Sequence, residues 1–190
     1  MQFKSYTLEA PKDIYINYDR AQKAVSTEKP EEVTTIETSY NWKVPDVSDY
    51  QTRLREHIIK EEGFRDKAYK DGKYYSIGYG FNNAKYKEGD TMTREEADLE
   101  LDKQLKEREA KYRQRFGSRW DALSDNRKIA LMSYGYNTGD NNIINGDVAK
   151  YLDEGNMEKL RDSIKINTFN GSYYEPLEQR RRRERLLFDS

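Results

Sequence analysis

Cysteine is absent from this chain of 190 residues, and histidine occurs only once, as His57. Without cysteine the protein can hold no disulfide scaffold, no thiol nucleophile and no thiolate metal site. The single histidine also excludes a multi-histidine metal site, and it leaves a Ser-His-Asp triad possible only through His57. These absences narrow the kinds of catalytic site that the chain can build.

The sequence also lacks an excess of one charge and any long hydrophobic run. It has 34 basic and 35 acidic residues, whereas a dedicated nucleic-acid-binding domain has a strongly basic surface. No apolar run approaches the roughly 18 residues that a membrane span needs. Residues 1–13 lack the apolar core of a secretory signal peptide. We therefore expect no nucleic-acid partner, no membrane span and no signal peptide.

The composition of the chain changes after about 50 residues. At about 100–200 residues per domain, the length suggests one domain with room for an appendage. Residues 1–50 hold six basic and nine acidic side chains, three of the four prolines, and short β-favouring runs at 13–18 and 33–36. We therefore divide the chain into an N-terminal extension over 1–47 and a domain over 48–190.

Two local patterns predict how the domain begins. Leu54, Ile58 and Glu62 recur four residues apart, which places them on one face of a helix that Gly63 would stop. An Asp-Gly pair at 71–72 then separates two aromatic-rich runs, and this is a strong signal for a β-hairpin. We expect an amphipathic helix followed by a small antiparallel sheet.

The rest of the domain has helical patterns. Thr93 followed by Glu96 forms a capping box that opens a long helix. Further helices are predicted after Ser124, over about 147–153 and 157–164, and from Pro176, a good first-turn residue, to about Phe188. The predicted fold class is therefore α+β, mostly α, with one small antiparallel sheet near its start.

Glu62, Asp71 and Ser76 carry the most informative chemistry. Glu62 shares the apolar face of its helix, where desolvation would disfavour the ionised form and so suit a general acid. Asp71 lies in a turn, where solvent keeps a carboxylate ionised and suited to act as a base, and Ser76 could hold a water. Two carboxyls in different environments, one acting as acid and one as base, are the catalytic groups of glycoside hydrolysis. The spacing of these residues alone also fits a structural role, in which Glu62 is a solvated residue at a helix end and Asp71 is an ordinary turn residue. Both arrangements are common in proteins.

Residues 62–80 begin with Glu-Gly and end with Ser-Ile-Gly-Tyr-Gly. This segment closely resembles the catalytic signature of the phage-type lysozymes. These are the endolysin-like muramidases of glycoside hydrolase family 24. Three later stretches resemble the same family in order and spacing: Thr93–Ala97 its helix opening, Ala130–Gly139 its cleft helix, and Leu177–Phe188 its final arginine-rich helix. The resemblance covers roughly residues 50–188.

The resemblance implies a role for each matching position. Glu62 corresponds to the proton donor, Asp71 to the carboxylate that activates water, and Ser76 to the hydroxyl residue that positions that water. Hydrolysis in the family proceeds with inversion, which requires carboxyls roughly 6.5–9.5 Å apart. Arg180 matches the arginine that pairs with the catalytic glutamate, and Tyr136 matches an aromatic of the sugar cleft.

One departure from the family pattern lies beside the catalytic signature. The family histidine after Gly-x-Gly is Phe81 here, so its hydrogen bonding near the acid is lost or replaced. We place Phe81 and its neighbour Asn82, with Tyr136, among the substrate-binding residues. The resemblance further implies a lysozyme-like fold of two lobes, joined by the helix that starts at Thr93 and separated by a glycan-binding cleft. It implies no metal and no organic cofactor.

The expected function is that of a peptidoglycan hydrolase that cleaves the β-1,4 bond between N-acetylmuramic acid and N-acetylglucosamine. Such an enzyme would serve phage-driven lysis or cell-wall penetration, from the virion or from the host cytoplasm before lysis. Two alternatives remain: a lytic transglycosylase, which needs one carboxylic acid and makes an anhydro sugar, and a non-catalytic lysozyme-like structural protein of the virion.

The extension over 1–47 could dock onto a virion protein, bind the cell wall, pack on the lysozyme or be inert. It is acidic, which disfavours attraction to anionic wall polymers, and too short and poor in apolar residues for a robust core of its own. It nevertheless contains β-favouring runs and Trp42. We expect a docking segment for a phage structural protein, and a free endolysin is the main alternative.

Further expectations concern other side chains. Glu61 and His57 are predicted to be solvated residues on the surface of the first helix. Trp42 and Trp120 are predicted to pack rather than to bind sugar. Helical periodicity spreads the arginines over 180–183 around their helix axis, so one or two should be buried partners and the others solvated.

Overall fold

The computed structural model describes residues 50–169 and 171–190. The extension over 1–47, with Trp42 and the boundary between 47 and 48, lies outside the described residues, so those expectations stay predictions.

Eight helices and five strands form over the described part of the chain. The helices are α1 (Tyr50–Glu62), α2 (Arg94–Phe116), α3 (Ser118–Asp121), α4 (Asp125–Thr138), α5 (Asn141–Ile144), α6 (Asp147–Asp153), α7 (Met157–Asp162) and α8 (Glu175–Phe188). The strands are β1 (Arg65–Asp71), β2 (Tyr74–Gly78), β3 (Phe81–Asn83), β4 (Thr168–Phe169) and β5 (Ser172–Tyr173). The mostly helical α+β class is confirmed.

The first three strands form an antiparallel sheet in the order β1-β2-β3. The predicted Asp-Gly turn joins β1 to β2, and Gly72 has a φ of 61°, a left-handed conformation that glycine adopts without strain. Within the register, Asp71 pairs with Tyr74, and Ser76 of the central strand pairs with Asn82 of β3. The hairpin therefore gathers Asp71, Ser76 and Asn82 in one small region.

The long helix α2 begins with the predicted capping box. The Thr93 hydroxyl accepts a hydrogen bond from the Glu96 amide at 3.2 Å, and the Glu96 carboxylate accepts one from the Thr93 amide at 2.8 Å. The apolar residues Ala97, Leu101 and Leu105 are buried on one face, as their spacing predicts. Two of the backbone N–H groups near the start of the helix are thereby satisfied.

The core of the domain is built around α4. Every residue from Ile129 to Gly135 is buried, and α4 packs against both α1 and α8. A side chain at Gly135 would overlap the hydroxyl of Tyr112 on α2, so glycine permits this close contact between helices. Trp120 is fully buried in the same core, which confirms its prediction as a packing residue.

Three short elements were not predicted: the four-residue helices α3 and α5, and the β4-β5 hairpin of two residues per strand. None is long enough to show a helical or alternating period, which is the main signal in a sequence. The last helix has Pro176 in its first turn and ends at Phe188, as expected. The helix predicted over 157–164 ends earlier, at Asp162.

We expect Thr93→Ala to lower the free energy of unfolding by about 1 kcal/mol, because the capping hydroxyl is lost. Urea denaturation of the two proteins measures the change. Thr93→Ser keeps the hydroxyl and should stay close to wild type. Equal losses in both variants would show that the capping bond contributes little to stability.

Candidate active site

Glu62 is the last residue of α1, and the helix brings it to the edge of the core. Leu54 and Ile58 are buried beneath the same face, and the side chain of Glu62 is 16% exposed. A Cβ added at Gly80 would lie 3.4 Å from Glu62 Oε2, so the turn between β2 and β3 runs against the carboxylate. Gly63 ends the helix with a φ of 66°, and the chain turns from there into β1.

Arg180 of α8 forms an ion pair with Glu62, with 2.8 Å between Nη1 and Oε1. The arginine side chain is only 7% exposed. Its Nε donates to Glu184 Oε1 at 3.2 Å, and its Nη2 donates to the backbone carbonyl of Ser133 at 3.3 Å. The Glu62 carboxylate is therefore partly desolvated, but it faces a buried cation rather than apolar groups alone.

Asp71, Ser76 and Asn82 form a second cluster, on the hairpin. Ser76 Oγ donates to Asp71 Oδ2 at 2.8 Å, and Asn82 Nδ2 donates to Ser76 Oγ at 2.9 Å and to Asp71 Oδ2 at 3.2 Å. Ser76 is fully buried whereas Asp71 is exposed. The serine and the asparagine thus fix the orientation of a solvent-facing carboxylate, and Asn82 contributes a contact that the sequence did not indicate.

Tyr136 and Phe81 line the wall beside these carboxyls. The Tyr136 hydroxyl donates to the Tyr79 carbonyl at 2.8 Å, and the Arg108 guanidinium lies 5.2 Å from the ring centroid. Burial, with the nearby charge of Glu62, raises the pKa of Tyr136. Phe81 is 3% exposed and meets the Tyr79 ring edge-on. Phe81 fills space at this position and offers no side-chain donor or acceptor.

A groove of about 490 Å³ extends from this wall. It contains the three residues predicted to bind substrate, and it is otherwise lined largely by polar and charged side chains. Its lining residues are Gly80, Phe81, Asn82, Asn83, Lys85, Tyr86, Glu100, Lys103, Gln104, Glu107, Arg108, Lys111, Tyr136 and Asp140. Such a surface can form many hydrogen bonds, which suits a hydroxyl- and amide-rich ligand better than an apolar one.

The lining charges of the groove are largely paired with one another. Arg108 and Lys111 both contact Asp140, the latter at 3.2 Å. Tyr112 also donates to Asp140, at 2.9 Å. These contacts tie α2 to Asp140, which directly precedes α5, and so they fix the far wall of the groove.

No three potential metal-ligating side chains cluster within residues 50–169 and 171–190. Among the helices of the same ranges, none is both long and apolar enough to cross a membrane.

Two expectations for α1 were wrong. The side chain of Glu61 is 5% exposed, because Arg183 donates two hydrogen bonds to its carboxylate at 2.8 and 2.7 Å. These bonds lower the pKa of Glu61. His57 is half-buried rather than a surface residue, and burial lowers its pKa. The partner of Glu61 lies 122 positions along the chain, which explains why a helix pattern could not reveal its environment.

The arginine run behaves as its periodicity predicts. Arg180 and Arg181 are buried, whereas Arg182 and Arg183 are exposed. The sequence did not indicate Glu184, which is fully buried beside the two inner arginines. The signal available in retrospect is its spacing, because it lies three and four residues after them on the same helix face.

Comparisons with known proteins place the chain in a family. The family model described as phage lysozyme matches residues 59–184. The endolysin of Bacillus phage B103 is 32% identical over an alignment of 142 positions, which covers 70% of this chain and 51% of that protein. The chain therefore spans about half the length of this curated relative.

Solved structures show the same fold. The muramidase domain of SpmX from Asticaccaulis excentricus has a TM-score of 0.63 at 27% identity, over 73% of this chain and 95% of that one. A variant of P22 lysozyme has a TM-score of 0.60 at 27% identity, over 73% and 97%. The active form of the P1 phage endolysin Lyz has a TM-score of 0.62 at 20% identity, over 74% and 85%. This last likeness concerns the fold alone.

We expect Arg180→Ala to lower the free energy of unfolding at neutral pH by about 3–5 kcal/mol, because it leaves Glu62 and Glu184 without their shared cation. The loss should shrink as the pH falls, since protonated carboxyls need no cation. Denaturant titrations between pH 4 and pH 7 measure it.

Lys165→Ala is the matched control, because it breaks the exposed pair with Asp147. Exposed pairs contribute little, so this variant should stay near wild type. If Arg180→Ala behaves like Lys165→Ala, the buried ion pair does not stabilise the fold.

Proposed function

Because the chain belongs to the phage lysozyme family, we propose that it is a peptidoglycan hydrolase. Its reaction is that of a muramidase, which cleaves the β-1,4 bond between N-acetylmuramic acid and N-acetylglucosamine. The observation that carries this proposal is the presence of two carboxyls in unlike settings. Glu62 is partly buried against Arg180, whereas Asp71 is exposed and oriented by Ser76 and Asn82.

Glu62 is the proposed general acid. It donates its proton to the glycosidic oxygen as the bond between that oxygen and the anomeric carbon breaks. The carboxylate that remains faces Arg180 Nη1 at 2.8 Å, and this cation stabilises the negative charge that develops on Glu62. The leaving sugar thereby departs as a neutral hydroxyl.

Asp71 is the proposed general base. It accepts a proton from a water whose oxygen bonds to the anomeric carbon on the face opposite the leaving group, so the configuration inverts. Ser76 and Asn82 both donate to Oδ2, which holds the carboxylate in one orientation. Solvent then returns a proton to Glu62 and removes one from Asp71, and the cycle closes.

The oriented Asp71 also weighs against the two alternatives. A lytic transglycosylase uses one carboxylic acid and an intramolecular hydroxyl in place of water, so it needs no second carboxylate with dedicated donors. A lysozyme-like structural protein without activity needs neither the buried pair of Glu62 and Arg180 nor the hydrogen-bonded cluster on the hairpin. Hydrolysis uses all of these groups.

The proposed substrate is the glycan strand of bacterial peptidoglycan, which the polar groove beside Tyr136 and Asn82 suits. The endolysin and lysozyme relatives support a role in phage-driven lysis or wall penetration. The protein would then act on the cell wall from the virion or from the host cytoplasm before lysis. For residues 1–47 we propose docking to a phage structural protein, on the strength of their composition.

We expect Glu62→Gln to lower hydrolysis of purified peptidoglycan by about 10²–10⁴-fold, because glutamine keeps the shape but cannot donate a proton. Muropeptide analysis by mass spectrometry measures the loss. For the wild type it should show hydrated reducing ends, and NMR of fresh product should show the inverted anomer.

Glu56→Gln on the exposed face of α1 is the control and should retain full activity. Near-normal turnover of Glu62→Gln would contradict the assignment of the acid. Anhydro products from the wild type would establish a transglycosylase instead, and an inactive wild type would favour the structural alternative.

A chain that begins at Val47 should keep its activity on purified peptidoglycan but lose its association with phage particles, if residues 1–47 form a docking segment. Immunoblots of purified particles and activity assays measure the two properties. The docking proposal fails if this shorter chain cannot fold, or if the full-length protein occurs only free in lysates of infected cells.

A further inference from the structure

A second buried carboxylate lies behind the ion pair of Glu62 and Arg180. Glu184 of α8 is fully buried, and its Oε1 accepts hydrogen bonds from Ser133 Oγ at 2.7 Å and Arg180 Nε at 3.2 Å. Arg181 approaches both of its oxygens, with Nη2 3.3 Å from Oε1 and Nε 3.0 Å from Oε2. Arg180 is therefore held between two carboxylates.

Arg181 is the second cation of this network and is also fully buried. It donates to Asn137 Oδ1 at 3.0 Å, and its guanidinium lies 4.8 Å from the centroid of the Tyr134 ring. With Arg180 and Arg181 against Glu62 and Glu184, two positive groups face two carboxyls in a region with little water. Each charge therefore acts strongly on the others.

We propose that Glu184 is a positioning residue for the hydrolytic reaction: it holds Arg180 against Glu62 and offsets the positive charge of the two buried arginines. Glu184 touches neither the groove nor the proposed reacting atoms. Its action passes through Arg180, and the inference rests on the function proposed above.

The direction in which Glu184 affects the ionisation of Glu62 follows from the groups that face these two carboxyls. Glu184 faces Arg180 and Arg181 on its own helix, and Ser133 and Tyr134 on α4. Glu62 faces Arg180 and Tyr136, and its neighbours on the α1 side are Glu61 with its partner Arg183, and His57. Without the charge of Glu184, the two buried arginines favour the ionised form of Glu62. The general acid would then lose its proton at lower pH.

The test is Glu184→Gln, which keeps the size and an acceptor oxygen but removes the charge. We expect the alkaline limb of the pH profile of kcat/KM to move to lower pH by about one unit, the size typical of one nearby charge. We expect the ¹³C titration of the Glu62 side-chain carboxyl, followed by NMR in the same variant, to move in the same direction.

Two further variants separate charge from structure. Glu178→Gln removes a half-exposed carboxylate of the same helix, which pairs with Arg185 at 2.8 Å, and should leave both readouts unchanged. Arg181→Met/Glu184→Gln removes one charge of each sign and should return both readouts to near their wild-type positions. If Glu184→Gln fails to fold, Arg181→Met takes its place and should move both readouts to higher pH.

The outcomes distinguish this inference from the proposed function. An inactive wild type would overturn the hydrolase, yet the NMR titration of Glu62 would still report on Glu184. An active wild type whose alkaline limb and Glu62 titration are unchanged in Glu184→Gln, or in Arg181→Met in its place, would make Glu184 a structural residue only. A shift that the double variant does not reverse would also overturn the electrostatic role.

Discussion

The site depends on the guanidinium of Arg180, which contacts two carboxylates at once. It joins Glu62 at the end of α1 to Glu184 on α8, and it reaches the carbonyl of Ser133 on α4. Three helices must therefore be packed before the proposed acid has its partner. Because a buried charge without a partner is costly, the same contact that prepares Glu62 also favours the correct packing of the core.

The orientation of the second carboxyl, Asp71, depends on the register of the hairpin strands rather than on helix packing. Asp71 is positioned by strand register, which sets Ser76 and Asn82 opposite each other and beside the turn. A shift of one residue would turn Ser76 to the other face of the sheet, and Asp71 would lose its donors. One proposed catalytic group thus relies on long-range helix packing, whereas the other relies on a local hairpin.

This difference explains what could be read from the sequence. The hairpin turn, the capping box at Thr93 and the buried face of α1 are short patterns with local causes, and each was predicted correctly. The contact between Glu61 and Arg183 joins residues 122 positions apart, and the contact between Ser133 and Glu184 spans 51 positions. No periodicity encodes such contacts, so the environment of Glu61 was mistaken. The only sequence signal for Glu184 is its helix spacing to Arg180 and Arg181. Arg180 was placed only through family resemblance.

The buried carboxylate of Glu184 on α8 partly offsets the positive charge of Arg180, which an apolar residue in its place could not do. Well-packed apolar residues in place of a buried ion pair are often at least as stable, so stability alone does not require Arg181 and Glu184. A lone Arg180 would bind the ionised form of Glu62 most strongly, which would disfavour the protonated form that the reaction needs at its start. Because Glu184 also contacts the Arg180 guanidinium, it weakens the attraction between Arg180 and Glu62. Arg181 and Ser133 in turn compensate the desolvation of Glu184. The cluster thus lets one cation orient the proposed acid while a second carboxylate shares its positive charge.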